Sequence, residues 1–161
     1  YCDSLLHVMV YGDVSNAAEI GELVRQPTTE CGAIEGTMVL DVAQLLAAAL
    51  QAIQAHKSGK MATNSLHSEI VYSLSGLKQI NASFKTFGVR QTSQVVVLVS
   101  FDQANLMQVA AKVQGTAADP ATLPASADTR ALRAFYKIDD VELETGSMLD
   151  AIVNRIAAAR L

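Results

Sequence analysis

The chain has 161 residues and a net charge of −4, with 50% hydrophobic and 17% charged residues, which argues for one folded domain and against a disordered chain or a coiled coil. Its two cysteines are too few for a disulfide scaffold or a cysteine-rich zinc site, and no apolar run approaches the roughly 18–20 residues that span a bilayer. We therefore expect a soluble, intracellular protein whose single domain covers residues 1–161.

The first part of the chain predicts two strands and a helix. The apolar run Ser4–Tyr11, with β-branched and aromatic members, predicts a strand. Ser15 is a good N-cap for a helix over Asn16–Gln26. We interpret the polar segment Thr28–Gly36 as a loop and Thr37–Leu40 as a short strand.

The segment Val42–Ser58 carries the clearest helical pattern. Asp41 can cap its N-terminus, and Gln44 three residues later resembles the second half of a capping box. Gly59 follows in the position where glycine commonly ends a helix. Apolar residues at helical spacing predict one wide buried stripe, formed by Val42, Leu45, Leu46, Ala49, Leu50 and Ile53.

The middle of the chain predicts two short helices and a buried strand. In Ser65–Leu77 some apolar residues alternate as in a strand and others share one helix face, and we predict a helix. A second helix over Ile80–Phe87 is predicted to end at Gly88. The unbroken β-branched run in Gln94–Phe101 predicts a strand buried on both faces.

The last part of the chain is predicted to be mostly helical. Asp102 caps a helix that reaches about Gln114, and Thr116–Ala127 follows as a loop. Asp128 begins another helix, and the last one covers Ser147–Arg160. Two or three strands among about seven helices indicate an α/β or α+β domain in which helices cover a small sheet.

No enzymatic motif occurs in the sequence, whether a glycine-rich phosphate loop, a zinc-binding pattern or a nucleophile elbow. His67 lies beside Ser68 and Glu69, but three consecutive residues cannot converge on one substrate atom, which argues against a catalytic triad. We interpret the acidic segment Asp139–Glu144 as a solvated turn before a helix rather than a catalytic carboxylate pair. The residues therefore predict a binding protein without catalytic residues, metal or cofactor.

The segment Lys57–Val89 resembles the central signature of a known family. The matching residues, in family order, are Lys57, Gly59, Lys60, Met61, Leu66, Glu69, Ile70, Leu74, Ile80, Lys85, Phe87 and Gly88. Two further blocks are similar to that family, YGDVSNAAEI at Tyr11–Ile20 and SMLDAIVNRI at Ser147–Ile156. The family is the small kinase-binding subunit of the KEOPS (EKC) complex, of the TPRKB or CGI-121 type.

This resemblance implies a non-catalytic subunit with an α/β fold in which helices wrap a mixed sheet. The complex installs threonylcarbamoyl on the adenosine beside the tRNA anticodon, and another subunit carries out the transfer. The resemblance implies that the subunit binds the N-lobe of a small PRPK-type kinase/ATPase and reaches the other KEOPS subunits through it. It also implies contact with tRNA, notably the single-stranded CCA tail, no membrane association, and a location in cytoplasm and nucleus.

A basic segment within the signature suggests where tRNA binds. Residues 56–90 include five lysines and arginines against one acid, although the chain as a whole is acidic. Lysines supply cations for phosphates, and the start of the helix at Ile80 supplies backbone amides and an apolar side chain for base stacking. The predicted tRNA-binding residues are Lys57, Lys60, Lys78, Gln79, Ile80 and Lys85.

The last predicted helix suggests the kinase-binding surface. Its apolar stripe is wide enough for one edge to pack on the sheet while the other meets a partner, and the resemblance assigns kinase binding to this region. Arg160 suits an interface rim, and Leu161 would leave an apolar terminus near solvent. The predicted residues are Leu149, Ile152, Val153, Ile156, Arg160 and Leu161, with ordinary core packing as the alternative for Leu149, Ile152 and Ile156.

A second class of function stays open at this point, namely a small-molecule-binding α/β domain or an enzyme of that fold. Co-purification of a kinase and tRNA would support the adaptor, whereas a bound metabolite would support the alternative.

Overall fold

The structure is a computed structural model that describes residues 6–159. The strands in that range are β1 (His7–Gly12), β2 (Gly32–Glu35), β3 (Val96–Ser100) and β4 (Thr116–Ala118). The helices are α1 (Ala17–Val24), α2 (Val42–Lys57), α3 (Leu66–Leu74), α4 (Ile80–Phe87), α5 (Gln103–Ala110), α6 (Leu123–Ser126), α7 (Thr129–Tyr136), α8 (Asp140–Thr145) and α9 (Met148–Ala158), with 3₁₀ turns at Gly36–Met38 and Pro120–Thr122. Within the described range, no helix combines the length and the apolar character needed to cross a membrane.

The described strands form one sheet in the order β2-β3-β1-β4. β1 pairs with β3 from His7 opposite Ser100 to Tyr11 opposite Val96, and β2 lies along the other side of β3. The predicted α/β class is confirmed, and every pairing is antiparallel, where the resemblance implies a mixed sheet. The predicted first strand begins at Ser4, which lies outside the described residues.

Helices cover both faces of the sheet. Val97 and Val99 of β3 belong to a core shared with α2, α3, α7 and α9. Val96 and Leu98 belong to a second core shared with α1 and α5. Because successive side chains of a strand point to opposite faces, an unbroken apolar run fits a strand that is covered on both sides. The prediction for this strand is therefore confirmed.

Most of the longer helices begin with a side-chain cap, and the predicted caps Asp41 and Asp102 are confirmed. The capping residues are Asp41, Ser65, Asp102, Asp128 and Ser147, each of which accepts a hydrogen bond from a backbone N–H in the first turn. Two details of the prediction are wrong. Gln44 accepts from the Leu40 N–H at 2.8 Å instead of completing a capping box with Asp41. Asn16, not Ser15, occupies the N-cap position of α1.

Several segments predicted as loop or strand differ in the structure. The predicted loop at 28–36 contains β2, and the predicted strand at 37–40 begins as a 3₁₀ turn. β2 is short and starts at Gly32, where an added Cβ would lie 3.1 Å from Val99 Cγ2. β2 is buried because it packs closely on β3. Its 4 residues are too few to show an apolar pattern from which a strand could be predicted. The predicted loop at 116–127 contains β4 and α6, and α5 ends at Ala110 rather than near Gln114.

Candidate functional site

A cavity of about 520 Å³ lies where the C-terminal ends of α2 and α9 meet the loop that follows α3. Gln51 and Gln54 line it from α2, Ala157 from α9 and Tyr72 from α3. The Gln51 side-chain amide donates to the Ala157 carbonyl at 3.2 Å and so links α2 to α9 beside the cavity. The site is therefore assembled from elements that are distant in sequence.

Two of the predicted tRNA-binding lysines meet at this cavity. Lys60 lines it from the loop after α2, and Lys78 lines it from the loop before α4. Leu77, beside Lys78, also lines the cavity and is 43% exposed. The basic segment thus places cationic and apolar side chains around one concave site.

Lys60 is held in place by the way in which α2 ends. Gly59 adopts the left-handed conformation (φ +68°), which costs little for a residue without a Cβ. The Gly59 N–H donates to the His56 carbonyl at 3.3 Å, and the Lys60 N–H donates to the Ala55 carbonyl at 2.9 Å. This pair of bonds is a Schellman motif, so the prediction that Gly59 ends this helix is confirmed.

The turn that carries Lys78 is held by two buried serines. The hydroxyl oxygens of Ser75 and Ser83 lie 2.6 Å apart. Ser75 Oγ accepts from the Leu77 N–H at 3.0 Å, and Ser83 Oγ donates to the Gln79 carbonyl at 2.9 Å. The backbone on both sides of Lys78 is therefore fixed to the buried serine pair.

The other predicted tRNA-binding residues lie outside the lining of this cavity. Lys57, Gln79 and Lys85 are exposed, and Ile80 is 39% exposed at the first position of α4. The predicted start of the helix at Ile80 is confirmed, while the Gln79 side chain makes no capping hydrogen bond. The structure thus separates the predicted residues into two cavity lysines and a surrounding exposed group.

The structure divides the residues predicted to bind the kinase. Ile152 and Ile156 of α9 have no solvent exposure and belong to the main core. This burial agrees with the alternative of ordinary core packing for these two residues, and Ile156 also lines the 520 Å³ cavity. Leu149 and Val153 are half-buried, and Arg160 and Leu161 lie outside the described residues. Ile152 and Ile156 are buried because α9 packs against α2 and also contacts α7 and α8. These contacts cover most of the apolar stripe of α9 within the domain.

An apolar surface lies on α2, at residues that were predicted to be buried. Leu46 is 48% exposed and Leu50 is 63% exposed, although both were expected in the buried stripe. The helix instead buries small residues that allow close approach of α3 and α9, namely Ala48, Ala49, Ala52 and Ala55 beside Leu45. Two leucines exposed one turn apart suggest an interaction surface. This surface could have been recognised from the sequence, because the predicted helix carries apolar residues on more than one face.

Comparison with known proteins gives the family. The model of the family described as kinase binding protein CGI-121 matches residues 11–160. The chain belongs to the CGI-121 family. The EKC/KEOPS complex subunit TPRKB of Danio rerio is 33% identical over 153 residues, which cover 92% of this chain and 87% of that protein. The EKC/KEOPS complex subunit cgi121 of Schizosaccharomyces pombe is 27% identical over 164 residues, covering 95% and 94%. The resemblance drawn from the sequence is therefore confirmed.

The acidic segment of this CGI-121 family member has a structural role. Asp139 and Glu142 form a reciprocal capping box at the start of α8. Arg155 of α9 donates to Glu142 Oε2 at 2.7 Å, and this hydrogen bond is the main reason why the pKa of Glu142 is lowered. The interpretation of the segment as a turn before a helix is wrong, because Asp140–Thr145 forms the short helix α8 itself, with Asp139 as its N-cap.

Two buried titratable side chains also serve the fold. His67 Nε2 accepts a hydrogen bond from the Phe101 N–H at 3.1 Å, and burial lowers the pKa of the imidazole, so it is neutral near pH 7. Burial raises the pKa of the Cys31 thiol to about 12, which makes it a poor nucleophile. Among the described residues, no three His, Cys, Asp or Glu side chains are grouped so as to hold a metal ion.

A second cavity of about 570 Å³ lies among α1, β2, α3 and the end of α4. Val24, Cys31 and Phe84 contribute apolar wall, and Ser65 and Ser68 contribute hydroxyls. Among residues 6–159, none of those predicted to bind tRNA or kinase lines it.

Proposed function

We propose that this chain is a non-catalytic, kinase-binding subunit of an EKC/KEOPS complex, and that its 520 Å³ cavity receives the single-stranded CCA tail of tRNA. Family membership supports kinase binding, and the names of the two relatives support the complex. The observation that carries the RNA part is the placement of Lys60 and Lys78 at one cavity. In this role the subunit supports threonylcarbamoyladenosine formation beside the anticodon, while another subunit carries out the transfer.

The chemistry of the cavity suits an unpaired nucleotide. Its volume falls within the range of about 300–1,000 Å³ that is typical of small-ligand sites. Lys60 and Lys78 can neutralise phosphates, and the exposed Leu77 offers an apolar surface to a base. The amides of Gln51 and Gln54 can both donate and accept hydrogen bonds, as the edges of unpaired bases require.

Charge reversal at the two cavity lysines tests the RNA site. We expect Lys60→Glu and Lys78→Glu each to weaken binding of a single-stranded RNA that ends in CCA, measured by fluorescence anisotropy. The slope of log K against log salt should fall by about 0.7 for each lost phosphate contact. Lys112→Glu is the matched control, because Lys112 is also exposed and does not line this cavity. Wild-type affinity in both cavity variants, or equal weakening in the control, would contradict the site.

For the kinase we propose the exposed leucines of α2 together with the half-buried residues of the adjoining α9. Leu46 and Leu50 supply apolar area that needs little rearrangement to meet a partner. Leu149 and Val153 are half-buried on α9, the helix that packs against α2. This proposal keeps the predicted C-terminal helix but moves the centre of the surface onto α2. Arg160 and Leu161 stay predicted contributors.

Co-elution with a PRPK-type kinase on a size-exclusion column tests this surface. We expect Leu50→Glu to abolish co-elution with the kinase, because a buried interface anchor contributes about 2 kcal/mol or more. Folding should change by no more than about 0.5 kcal/mol, since the side chain is exposed. Met107→Glu, at a residue that is 52% exposed on α5, is the control and should leave co-elution intact. Retained co-elution of Leu50→Glu would place the kinase elsewhere.

A further inference from the structure

The loop between α2 and α3 carries Lys60 to the cavity and is anchored at both ends. On the α2 side, the Schellman motif at Gly59 fixes the chain up to the Lys60 N–H. On the α3 side, the chain is fixed at Ala62 and Thr63 by the side chain of Glu69. Between the two anchors, only the segment from Lys60 to Met61 remains.

Glu69 is an unusual anchor because it is an acidic residue with no solvent exposure. Its carboxylate accepts hydrogen bonds from the Ala62 N–H at 3.1 Å and from the Thr63 N–H at 2.9 Å. It also accepts from the Thr63 hydroxyl at 2.6 Å. Hydrogen bonds to a carboxylate are stronger than neutral ones, and a buried carboxylate is costly unless such donors surround it. The loop and Glu69 therefore hold each other in one arrangement.

Glu69 lines neither the 520 Å³ cavity nor the 570 Å³ cavity. Its oxygens accept three hydrogen bonds from Ala62 and Thr63 of the loop, which gives it a route to act on a ligand through the loop. We infer that Glu69, together with Thr63, is a positioning residue for the RNA site, which holds the Lys60 loop in the conformation that places the lysine at the cavity. This inference rests on the proposed RNA function.

The size of the effect follows from the population of the competent loop. When the anchor is weakened, only a fraction of the molecules presents Lys60 correctly, and the apparent Kd rises by the inverse of that fraction. A fall of the competent population to between a third and a tenth raises the Kd roughly three- to tenfold.

Variants of Thr63 separate the hydrogen bond from the shape of the side chain. Thr63→Val removes the hydroxyl at nearly constant volume, and we expect it to weaken binding of a single-stranded RNA ending in CCA by roughly three- to tenfold. Thr63→Ser keeps the hydroxyl and should bind like wild type. Glu69→Gln should act in the direction of Thr63→Val, because its amide NH₂ replaces one acceptor oxygen next to backbone donors.

Glu35→Gln is the matched control. Glu35 is also a buried glutamate that accepts hydrogen bonds from hydroxyls, here of Thr37 at 3.2 Å and of Ser93. It lines neither the 520 Å³ cavity nor the 570 Å³ cavity. We expect Glu35→Gln to lower the thermal unfolding midpoint as Glu69→Gln does, but to leave RNA affinity unchanged. Equal loss of RNA affinity in both variants would reduce Glu69 to a general stabilising residue and overturn the inference.

A double-mutant cycle with Lys60→Ala gives the deciding result. If the anchor acts through Lys60, Thr63→Val should have no further effect on RNA affinity once Lys60 is alanine. Additive effects would overturn the positioning role. If Lys60→Ala alone binds RNA like wild type, the inference fails, and the proposed RNA site fails with it only if Lys78→Glu also binds like wild type. If Lys60→Ala weakens binding and Thr63→Val does not, only the inference fails.

Discussion

Tyr136 links three helices, and its replacement by phenylalanine measures how much that link contributes to stability. The Tyr136 hydroxyl donates to the Leu74 carbonyl at the end of α3. It also accepts a hydrogen bond from Gln44 Nε2 of α2 at 3.2 Å. Tyr136 is 5% exposed and Gln44 is fully buried, so water does not reach these partners in the folded protein.

The expected loss in the free energy of unfolding follows from the polar groups that Tyr136→Phe leaves without a hydrogen-bond partner. The Leu74 carbonyl and one Gln44 amide proton lose their partner, and an unsatisfied buried polar group costs about 1–3 kcal/mol. Gln44 Nε2 keeps its bond to the Met38 carbonyl at 3.1 Å, and the ring keeps its contact with Phe135. We therefore expect a loss of about 2–3 kcal/mol in the free energy of unfolding. For a chain of this length, the Tm should fall by roughly 4–12 °C.

Urea and thermal unfolding followed by circular dichroism measure this loss. Tyr11→Phe is the control, because Tyr11 is similarly buried and its hydroxyl makes no hydrogen bond to a described residue. The control should change the free energy of unfolding by less than about 0.5 kcal/mol. A change of that small size in Tyr136→Phe would refute the reasoning, because the hydroxyl would then contribute nothing net.

Three further predictions concern His67, Cys31 and Gly88. Burial lowers the pKa of folded His67 below 6.5, so the unfolded chain takes up the proton first as the pH falls. The contribution of neutral His67 to the free energy of unfolding is therefore full above about pH 6.5 and declines below that pH. His67→Gln should flatten this decline in urea unfolding measured between about pH 7.5 and 5. An unchanged decline in the variant would contradict this role of His67. In a Cys2→Ser background, Cys31 should react slowly with a thiol reagent in the native state and quickly in urea, whereas native labelling at the rate of free cysteine would contradict its burial. Gly88→Ala should cost about 1–3 kcal/mol because the new Cβ would lie 2.6 Å from a backbone carbonyl. Gly12→Ala, with nothing within 4 Å of its Cβ, should cost clearly less in the same urea titration, and equal costs would contradict this reason.

The residues predicted to bind RNA show that charge in the sequence does not determine which lysines lie at one site. Lys57, Lys60, Lys78 and Lys85 belong to one basic segment, and composition treats them alike. Only Lys60 and Lys78 line the cavity, because the chain reverses through α3 and returns to the end of α2. The basic segment can be identified from the sequence, but the direction of each lysine depends on turns fixed by side chains such as Glu69, whose partners a sequence does not identify.

Local physics explains what the sequence alone determined. A helix cap needs only a side chain and the backbone two or three residues later, so the starts at Asp41, Ser65 and Ser147 were predictable. The buried strand β3 was equally clear, since its unbroken apolar run suits only a strand covered on both faces. With the family signature, these features define the fold class and the kind of protein.

Burial of individual side chains was decided only by the tertiary structure. Leu46 and Leu50 share a helix with the buried Leu45, yet they are exposed because alanines on the neighbouring positions form the contacts with α3 and α9. Ile152 and Ile156 are inside because α9 is packed from more than one side. Apolar periodicity indicates that a helix has surfaces to bury, whereas the elements that meet those surfaces come from distant parts of the chain, and their arrangement determines which apolar residues are left for a partner.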